Sequence, residues 1–450
     1  MKYIKQFRQV PVLVLASVLL TTAANAQTLN SFNVHQAVDY AMKNATVVKN
    51  ALIDIQVQKE VNREITSAAY PQLNASGALN EYLNIPTSLL PAEIAGGTPG
   101  TYLPVKFGTK YNATGGFDVS QILFDGQVFV GLQARSAAIA AAEKVKDVTT
   151  EMINVNVQKV YYQLVVGRQQ LTTIDANIER FQKLFNDTKA MFDQGFMERL
   201  DVDKVSVQLN NLQTEKIKQQ NRLDAGFAGL KFLMNMPQKD SLQLTDSLTV
   251  DQVKDNVLSS QYNYPDRKEF QLLEITRKLR AYNIKRYKLS YLPILSAFGN
   301  YSKNAQRTKF DFFKGGSNRQ WFTTSLIGLK LNVPIFDGFA RRARVNQAKL
   351  ALQKTENDIE QLKQSIDNDV IQANLSISAS FITLDNQRRN MELAEKVYNT
   401  TKIKYDQGLG SNQEIYNAQA ELKTAQNNYY SALYDAVIAK IDFLKATGKL

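Results

Sequence analysis

The stretch that decides the fold of this chain is residues 324–338, which reads TSLIGLKLNVPIFDG. Apolar side chains stand at every second position from Ile327 to Ile335. A period of two is typical of a β-strand that has one apolar and one polar face. The stretch closes with Asp337 and Gly338. We expect the Asp337 carboxylate to cap the helix that follows, because it can accept the free amide hydrogens there.

The segment after Gly338 predicts a helix of unusual length. Its apolar positions from Leu352 to Leu384 recur at steps of three and four, which is the spacing of one helix face. The segment 338–404 contains no internal proline or glycine, and its 67 residues would span roughly 100 Å at 1.5 Å per residue. A stripe from Val148 to Phe185 predicts a matching helix in the first half. Shorter helical patterns lie at about 34–69, 201–235, 266–290 and 413–446.

The same plan occurs twice along the chain. Three motifs recur in the same order, with residues 69–73 resembling 291–295, 124–126 repeated at 336–338, and 192–195 resembling 405–408. Their nearly constant spacing indicates an internal duplication. We therefore predict a first repeat at 27–237 and a second at 265–450, joined by an irregular segment at 238–264. Each repeat would contain a helix, a β-hairpin (about 72–124 and 294–336), a long helix, a tip (192–200 and 405–412) and a return helix.

Four strands are predicted, at about 72–83, 110–124, 294–305 and 321–336. In the first repeat, Asp125 and Gly126 form the strand-to-helix junction that corresponds to Asp337 and Gly338. Four strands with an apolar outer face would leave unpaired backbone groups at the sheet edges, and each costs several kcal/mol inside lipid. Closure into a barrel pairs the edges, and the smallest membrane barrels use about eight strands. Because an eight-stranded barrel is filled by its own side chains, a hollow conduit favours three or more copies.

Residues 1–26 are predicted to be a signal peptide. Lys2, Lys5 and Arg8 precede an apolar core, and small residues at 24–26 form the cleavage site; a short N-terminal membrane anchor is the alternative. Loss of these three charges lowers the formal net charge from +12 to +9, and an exported chain would not meet nucleic acid. The chain has no cysteine, which excludes disulfides and thiolate metal sites. Its mean hydropathy of -0.30 is too polar for a bundle of membrane helices.

The order and spacing of these motifs resemble the TolC-type outer-membrane efflux protein family (outer membrane factors). The resemblance covers essentially the whole mature chain. It implies a mixed α and β membrane protein that assembles as a trimer. Three chains would share one twelve-stranded transmembrane β-barrel, which lies above a long periplasmic barrel of coiled-coil helices. It also implies an exit duct in the outer membrane that serves an inner-membrane pump through a periplasmic adaptor protein, in tripartite efflux or type I secretion.

The resemblance further implies a constricted periplasmic entrance at the two helical tips. The family has an acidic residue six positions after each tip glycine, and here Asp201 follows Gly195 and Glu414 follows Gly408. We expect these acids to form an entrance ring; helix capping alone is the alternative. Where the family's best-studied member has an arginine that locks the entrance, this chain has Gly410. The locking ion pair is therefore not expected here.

Two basic clusters flank the strands of the second repeat. They comprise Lys285, Arg286 and Lys288 before the first strand, and Arg341, Arg342 and Arg344 after the Phe-Asp-Gly motif. We expect a belt that contacts the phosphates of outer-membrane lipid; a solvated helix face is the alternative. Aromatic residues beside the strands, among them Phe312 and Trp321, predict an interfacial girdle; ordinary loop packing is the alternative.

Catalytic and cofactor motifs are absent from the sequence, which contains no HExxH, GxSxG or P-loop pattern. His35 is the only histidine. We therefore expect no enzyme activity, no cofactor and no metal site. A periplasmic coiled-coil adaptor or scaffold is the alternative function, which the lipid-like strands disfavour. A diffusion porin is disfavoured by the long helices. The transported substrate and the class of pump are not determined by the sequence.

Overall fold

The structure is a computed structural model that describes residues 29–254, 261–316 and 320–450. The predicted signal peptide, residues 1–26, lies outside the described residues. The helices are α1 (Val34–Asn44), α2 (Thr46–Ser67), α3 (Gly126–Asp193), α4 (Arg199–Met234), α5 (Val250–Lys254), α6 (Lys268–Leu289), α7 (Ala340–Asp406) and α8 (Asn412–Ala446). The strands are β1 (Leu29–Phe32), β2 (Gln72–Glu81), β3 (Thr87–Pro91), β4 (Tyr102–Lys106), β5 (Tyr111–Phe124), β6 (Ser241–Leu244), β7 (Ile294–Arg307) and β8 (Phe322–Asn332).

The four predicted strands form one antiparallel sheet in the order β2-β5-β7-β8. The central pairing of β5 with β7 joins the two repeats in a single sheet. The last strand ends at Asn332 instead of 336, because Pro334 has no amide hydrogen to donate to a neighbouring strand. Together with the two helices α3 and α7, of 68 and 67 residues, this sheet confirms the predicted mixed fold class.

A second hairpin lies inside the connection between β2 and β5. It consists of β3 and β4, which pair with each other in a separate two-stranded sheet. The sequence pattern does not predict this hairpin, because Pro91 and Pro104 lie within these strands and proline within a short run argues against a strand.

The segment 238–264, predicted to be irregular, contains a four-residue strand and a short helix. Strand β6 pairs in parallel with β1, which lies some two hundred residues earlier in the chain, and α5 follows. A strand of four residues has too few positions to reveal a period. Residues 255–260 of this segment lie outside the described part of the chain.

The chain divides into two compact units that cut across the sequence repeats. The first unit comprises Lys146–Lys268, Lys363–Leu450 and the N-terminal residues up to Ala51, and the second comprises Leu52–Val145 and Glu269–Leu362. Each repeat contributes to both units, because the long helices α3 and α7 each begin in the second unit and end in the first.

The first unit contains two buried apolar clusters, and the helices α3, α4, α7 and α8 contribute to both. One cluster surrounds the fully buried Tyr161, Leu230 and Leu433. The other lies beside the tips and includes Leu212 and Ile415. Complete burial of such an aliphatic side chain contributes about 1.5–3 kcal/mol. These clusters explain the apolar stripes in the sequence. Among the described residues, no helix has an apolar stretch of the length and hydropathy that a membrane span requires.

Candidate functional site

The apolar face of the four-stranded sheet is uncovered. Residues paired across an antiparallel sheet point to the same side, so Leu329 on β8 shares this face with its partner Ala297 on β7. Ile327 is 91% exposed and Leu329 is 69% exposed. The other exposed apolar side chains of this face include Leu73, Leu79, Phe117, Val119, Tyr301 and Leu331. A continuous apolar surface of this kind marks contact with a partner or a membrane.

The opposite face of the same sheet is mainly polar, although Phe298 and Leu326 are exposed on it. Asn74, Asp118 and Asn300 lie in one row across three adjacent strands. The Asn300 amide donates a hydrogen bond to the Asp118 carboxylate over 2.8 Å. Lys330 points to this side opposite Ser296. Asp118 was missed by the sequence analysis, because a single acid in a strand has no distinguishing pattern until its neighbours across the sheet are known.

The first strand-to-helix junction is capped as predicted. The Asp125 carboxylate accepts a hydrogen bond of 2.8 Å from the amide of Gln127, which satisfies one of the free donors at the start of α3. Gly126 is required sterically, since a Cβ there would lie 2.7 Å from the Cβ of Leu289.

The second junction differs in geometry although its motif is the same. Helix α7 begins at Ala340, three residues after Asp337, and both Gly338 and Phe339 have positive φ, at 64° and 67°. The Asp337 carboxylate reaches across this turn and accepts a 2.9 Å hydrogen bond from the amide of Arg341. Asp337 therefore caps α7 from a distance and is not its adjacent N-cap, because a bulky residue with positive φ separates them.

The two helical tips are turns that depend on glycine. Gly195 lies between α3 and α4 with φ of 83°, and Gly408 lies between α7 and α8 with φ of 72°. Glycine adopts this left-handed conformation without the steric cost of a Cβ. Gly410 does not share it; a Cβ there would lie 3.2 Å from the amide nitrogen of Tyr405.

Asp201 and Glu414 occupy equivalent places, each in the first turn of the helix that leaves its tip. The Asp201 side chain is half-buried and that of Glu414 is exposed. The amide of Glu414 donates to the hydroxyl of Ser411 over 3.3 Å, so Ser411 caps α8. The Glu414 carboxylate is therefore not needed for the cap and is free to face solvent.

Side-chain contacts join the two tips to each other. The Tyr416 hydroxyl donates to the backbone carbonyl of Asp201 over 3.1 Å, and the Asn412 amide lies 3.3 Å from the sulfur of Met197. Burial raises the pKa of the Tyr416 phenol, and the negative charge of Asp201 raises it further. The phenol is therefore a neutral hydrogen-bond donor at physiological pH.

The basic cluster at the end of α6 has local partners for two of its three cations. The Lys285 ammonium donates to the Gln133 side chain over 2.8 Å. The Arg286 guanidinium lies 4.8 Å from the centre of the Tyr287 ring. Lys288 is exposed. Contact of this cluster with lipid stays a prediction.

The basic cluster at the start of α7 is more open to solvent. The Arg341 guanidinium lies 3.3 Å from the Asp337 carboxylate, which offsets its charge. Arg342 and Arg344 are exposed. Contact of this second cluster with lipid headgroups also stays a prediction.

Aromatic rings pack against one another beside the ends of the strands. Phe312 lies 5.6 Å from Phe310 and 6.2 Å from Trp321, measured between ring centres, and Phe310 contacts Tyr111 edge-on at 5.8 Å. Such offset aromatic pairs are favourable beyond the area that they bury. Phe312 is buried in this cluster, as ordinary loop packing also expects, and the interfacial girdle stays a prediction.

A sheet that is apolar on one face and mainly polar on the other, continued by helices of nearly seventy residues, makes the fold of this chain similar to that of solved outer-membrane channels. Residues 266–449 match the family model described as outer membrane efflux protein, and the predicted resemblance to the TolC-type family is thereby confirmed.

Known proteins similar to this chain are channel and secretion components. The outer membrane protein TolC of Vibrio cholerae is 22% identical over 74% of this chain and 76% of its own length. The alkaline protease secretion protein AprF of Pseudomonas aeruginosa is 22% identical over 71% of this chain and 66% of its own length. The CmeC outer membrane channel of Campylobacter jejuni superimposes with a TM-score of 0.72 at 17% identity, covering 93% of this chain and 86% of that one. The structural likeness shows the fold.

Proposed function

We propose that this protein is the outer-membrane exit duct of a tripartite efflux or type I secretion system. The observation that carries the proposal is the uncovered apolar face of the β2-β5-β7-β8 sheet, with Ile327 91% exposed. Lipid is the environment in which such a face is stable. The polar face that includes Asp118 then lines the lumen, and the long helices extend into the periplasm. The chain acts as a conduit and catalyses no reaction.

The assembly that we propose is a homotrimer. Within the described residues, β2 and β8 each pair with only one neighbour in this sheet, so each leaves a row of backbone donors and acceptors unpaired. Inside lipid each unpaired group costs several kcal/mol. Pairing of β2 in one copy with β8 in the next removes both edges, and three copies close a barrel of twelve strands.

The partners that we propose are a periplasmic adaptor protein and an inner-membrane pump, which meet the duct at its helical tips. The glycine turns at Gly195 and Gly408 would provide the contact surface. Three copies of Asp201 and Glu414 would surround the entrance with six carboxylates. The Asp201 side chain is half-buried and the Glu414 side chain is exposed, so both carboxylates are open to solvent as an entrance ring requires.

We also propose that the exposed cations of the two basic clusters contact the phosphates of outer-membrane lipid. Lys288 precedes β7 by six residues, and Arg342 and Arg344 lie in the first turns of α7. Guanidinium and ammonium groups this close to membrane-spanning strands are placed to meet lipid headgroups.

The test is cell fractionation followed by mass measurement in detergent. The proposal predicts that the full-length protein extracts with outer membranes as a heat-modifiable trimer and forms conducting channels in planar bilayers. Recovery of a stable, folded monomer from the periplasmic fraction would instead support the coiled-coil adaptor alternative and refute the duct.

A further inference from the structure

A cavity of about 400 Å³ opens between helices α2, α3 and α6. Its cationic lining consists of Arg135 from α3 and of Arg280 and Arg286 from α6, accompanied by the amides of Asn62 and Asn283. No carboxylate lines it among the residues that the structure describes. Three guanidinium groups around one concave, partly apolar site focus a positive potential that favours an anion.

Arg135 is held in place by neutral groups. Its Nε donates to the carbonyl of Leu132 over 3.1 Å, and one terminal nitrogen donates to the Thr66 hydroxyl over 2.6 Å. The Asn62 amide in turn donates to the Arg135 carbonyl over 2.9 Å. These contacts fix the position of the guanidinium without neutralising its charge.

Arg286 has a buried donor that lacks an acceptor. Its Nη2 donates to the Tyr287 hydroxyl over 3.0 Å, whereas its Nε is inaccessible to solvent and has no hydrogen-bond partner in the described chain. A buried charged donor without an acceptor is costly. Because this Nε is closed to solvent, an anion in the adjacent cavity would reach it only if the Arg286 side chain turned towards the cavity.

The neighbouring arginine on the same helix provides a contrast. Arg277 does not line the cavity, and its guanidinium lies 2.6 Å from the Glu274 carboxylate. Arg280, one turn further along α6, is exposed and lines the cavity. Among the described ion pairs, Arg277 therefore has a carboxylate partner, whereas the cavity-lining Arg280 and Arg286 have none.

We propose that this cavity binds a phosphate group, either as inorganic phosphate or as the headgroup of a phospholipid. A tetrahedral phosphate presents several acceptor oxygens, which match the fixed fork of donors on each guanidinium. Arg286 lies in the last turn of α6, eight residues before β7 begins, so the site is close in sequence to the strands that we assign to the membrane. The proposal does not depend on transport through the lumen.

The experiment measures binding to the full-length protein purified in detergent. Radiolabelled inorganic phosphate is used in equilibrium dialysis, and phosphatidylglycerol is used in native mass spectrometry. The variants are Arg286→Gln and Arg280→Gln, each alone and combined, and Arg277→Gln is the matched control on the same helix. We expect the combined variant to weaken binding at least about tenfold, because each charge-assisted hydrogen bond is stronger than a neutral one, while the control binds like the wild type.

The two probes distinguish the sources of the phosphate. If the wild type binds inorganic phosphate and the cavity variants do not, the site is a free-phosphate site. If the cavity variants lose only the phosphatidylglycerol adduct, the site is a lipid site. If Arg286→Gln fails to fold by circular dichroism, the exposed Arg280→Gln decides the question by itself. The proposal is overturned if the wild type binds neither probe saturably, or if the cavity variants and Arg277→Gln bind equally.

Discussion

The phenolic hydroxyl of Tyr416 donates a hydrogen bond to the backbone carbonyl of Asp201 over 3.1 Å, although the two residues lie 215 positions apart. The bond connects the first turn of α4 to the start of α8, and it thus joins the tips of the two repeats within one chain. Gly410 has no charged side chain with which to form an ion pair at this place. A neutral hydrogen bond and the buried cluster around Leu212 and Ile415 hold the tips together instead.

Tyr416→Phe is expected to loosen the tips. The substitution keeps the ring and its packing while it removes the donor, so we expect the free energy of unfolding to fall by about 0.5–1.5 kcal/mol. Single-channel recordings should also show more frequent openings. Thermal unfolding followed by circular dichroism measures the first effect, with the exposed Tyr291→Phe as the control. If Tyr416→Phe and Tyr291→Phe have the same free energy of unfolding, packing alone holds the tips together.

The orientation of the sheet in the membrane is tested at two adjacent positions of β8. Leu329 points to the apolar face and Lys330 to the polar face. Leu329→Arg should cost about 2–4 kcal/mol and reduce trimer assembly, because a guanidinium would enter the lipid midplane. Lys330→Leu should assemble normally. Heat-modifiable mobility on gels measures both, and the opposite result would show that the two faces are exchanged.

The proposed entrance ring is tested by removing charge without changing shape. Asp201→Asn combined with Glu414→Gln should weaken the preference for cations in single-channel recordings, since a ring of acids concentrates cations at a narrow mouth. Conductance should change less than selectivity. Asp118→Asn is the comparison, because it removes an acid from the polar face of the sheet and leaves the tips intact. If only Asp118→Asn alters selectivity, the filter lies in the barrel and the entrance ring is abandoned.

The first unit should lose stability at alkaline pH when the Tyr262 phenol loses its proton. Its hydroxyl donates to the Asp367 carboxylate over 2.6 Å, and this bond raises the pKa of Tyr262 to about 12. The unfolded tyrosine titrates near pH 10, so the folded state keeps its proton to a higher pH. The stabilisation is therefore complete below about pH 10 and is lost as the pH rises towards about 12.

Melting temperatures measured across that pH window provide the check. The wild type should lose melting temperature more steeply than Tyr262→Phe, which has no phenolic proton to lose. Tyr291→Phe should follow the wild type, because its ring is half exposed and removed from Asp367 in the sequence. Parallel curves for wild type and Tyr262→Phe would show that this hydrogen bond does not couple to folding.

Local patterns predicted the large elements of this fold well. The alternation that ends at Ile335 predicted a strand with Leu329 on its apolar face, because side chains on a strand alternate regardless of what lies next to it. The stripe from Leu352 to Leu384 predicted α7 for the corresponding reason, since a period near 3.6 is a property of one helix. Short elements without a usable period, such as β6, were missed.

The candidate site was only partly accessible from the sequence. Gly195 and Gly408 were recognised as turn residues because positive φ is a local requirement. The identical Phe-Asp-Gly motifs predicted two equal junctions, yet Phe339 takes up positive φ in the second and delays the start of α7. The Phe336 and Phe339 rings also contact each other there, with their centres 5.4 Å apart, and the shared motif does not encode this contact.

By itself, the sequence determined which segments are helices and strands, which face of β8 is apolar, and that the plan occurs twice, because each of these follows from residues close together in the chain. Only the tertiary structure decided that Asn300 meets Asp118 from 182 residues away, that Tyr416 reaches Asp201, and that Arg135 and Arg286 share a cavity. The physical reason is that strand register and helix packing bring distant residues together through the sum of many small contacts. No single segment of the sequence contains that information.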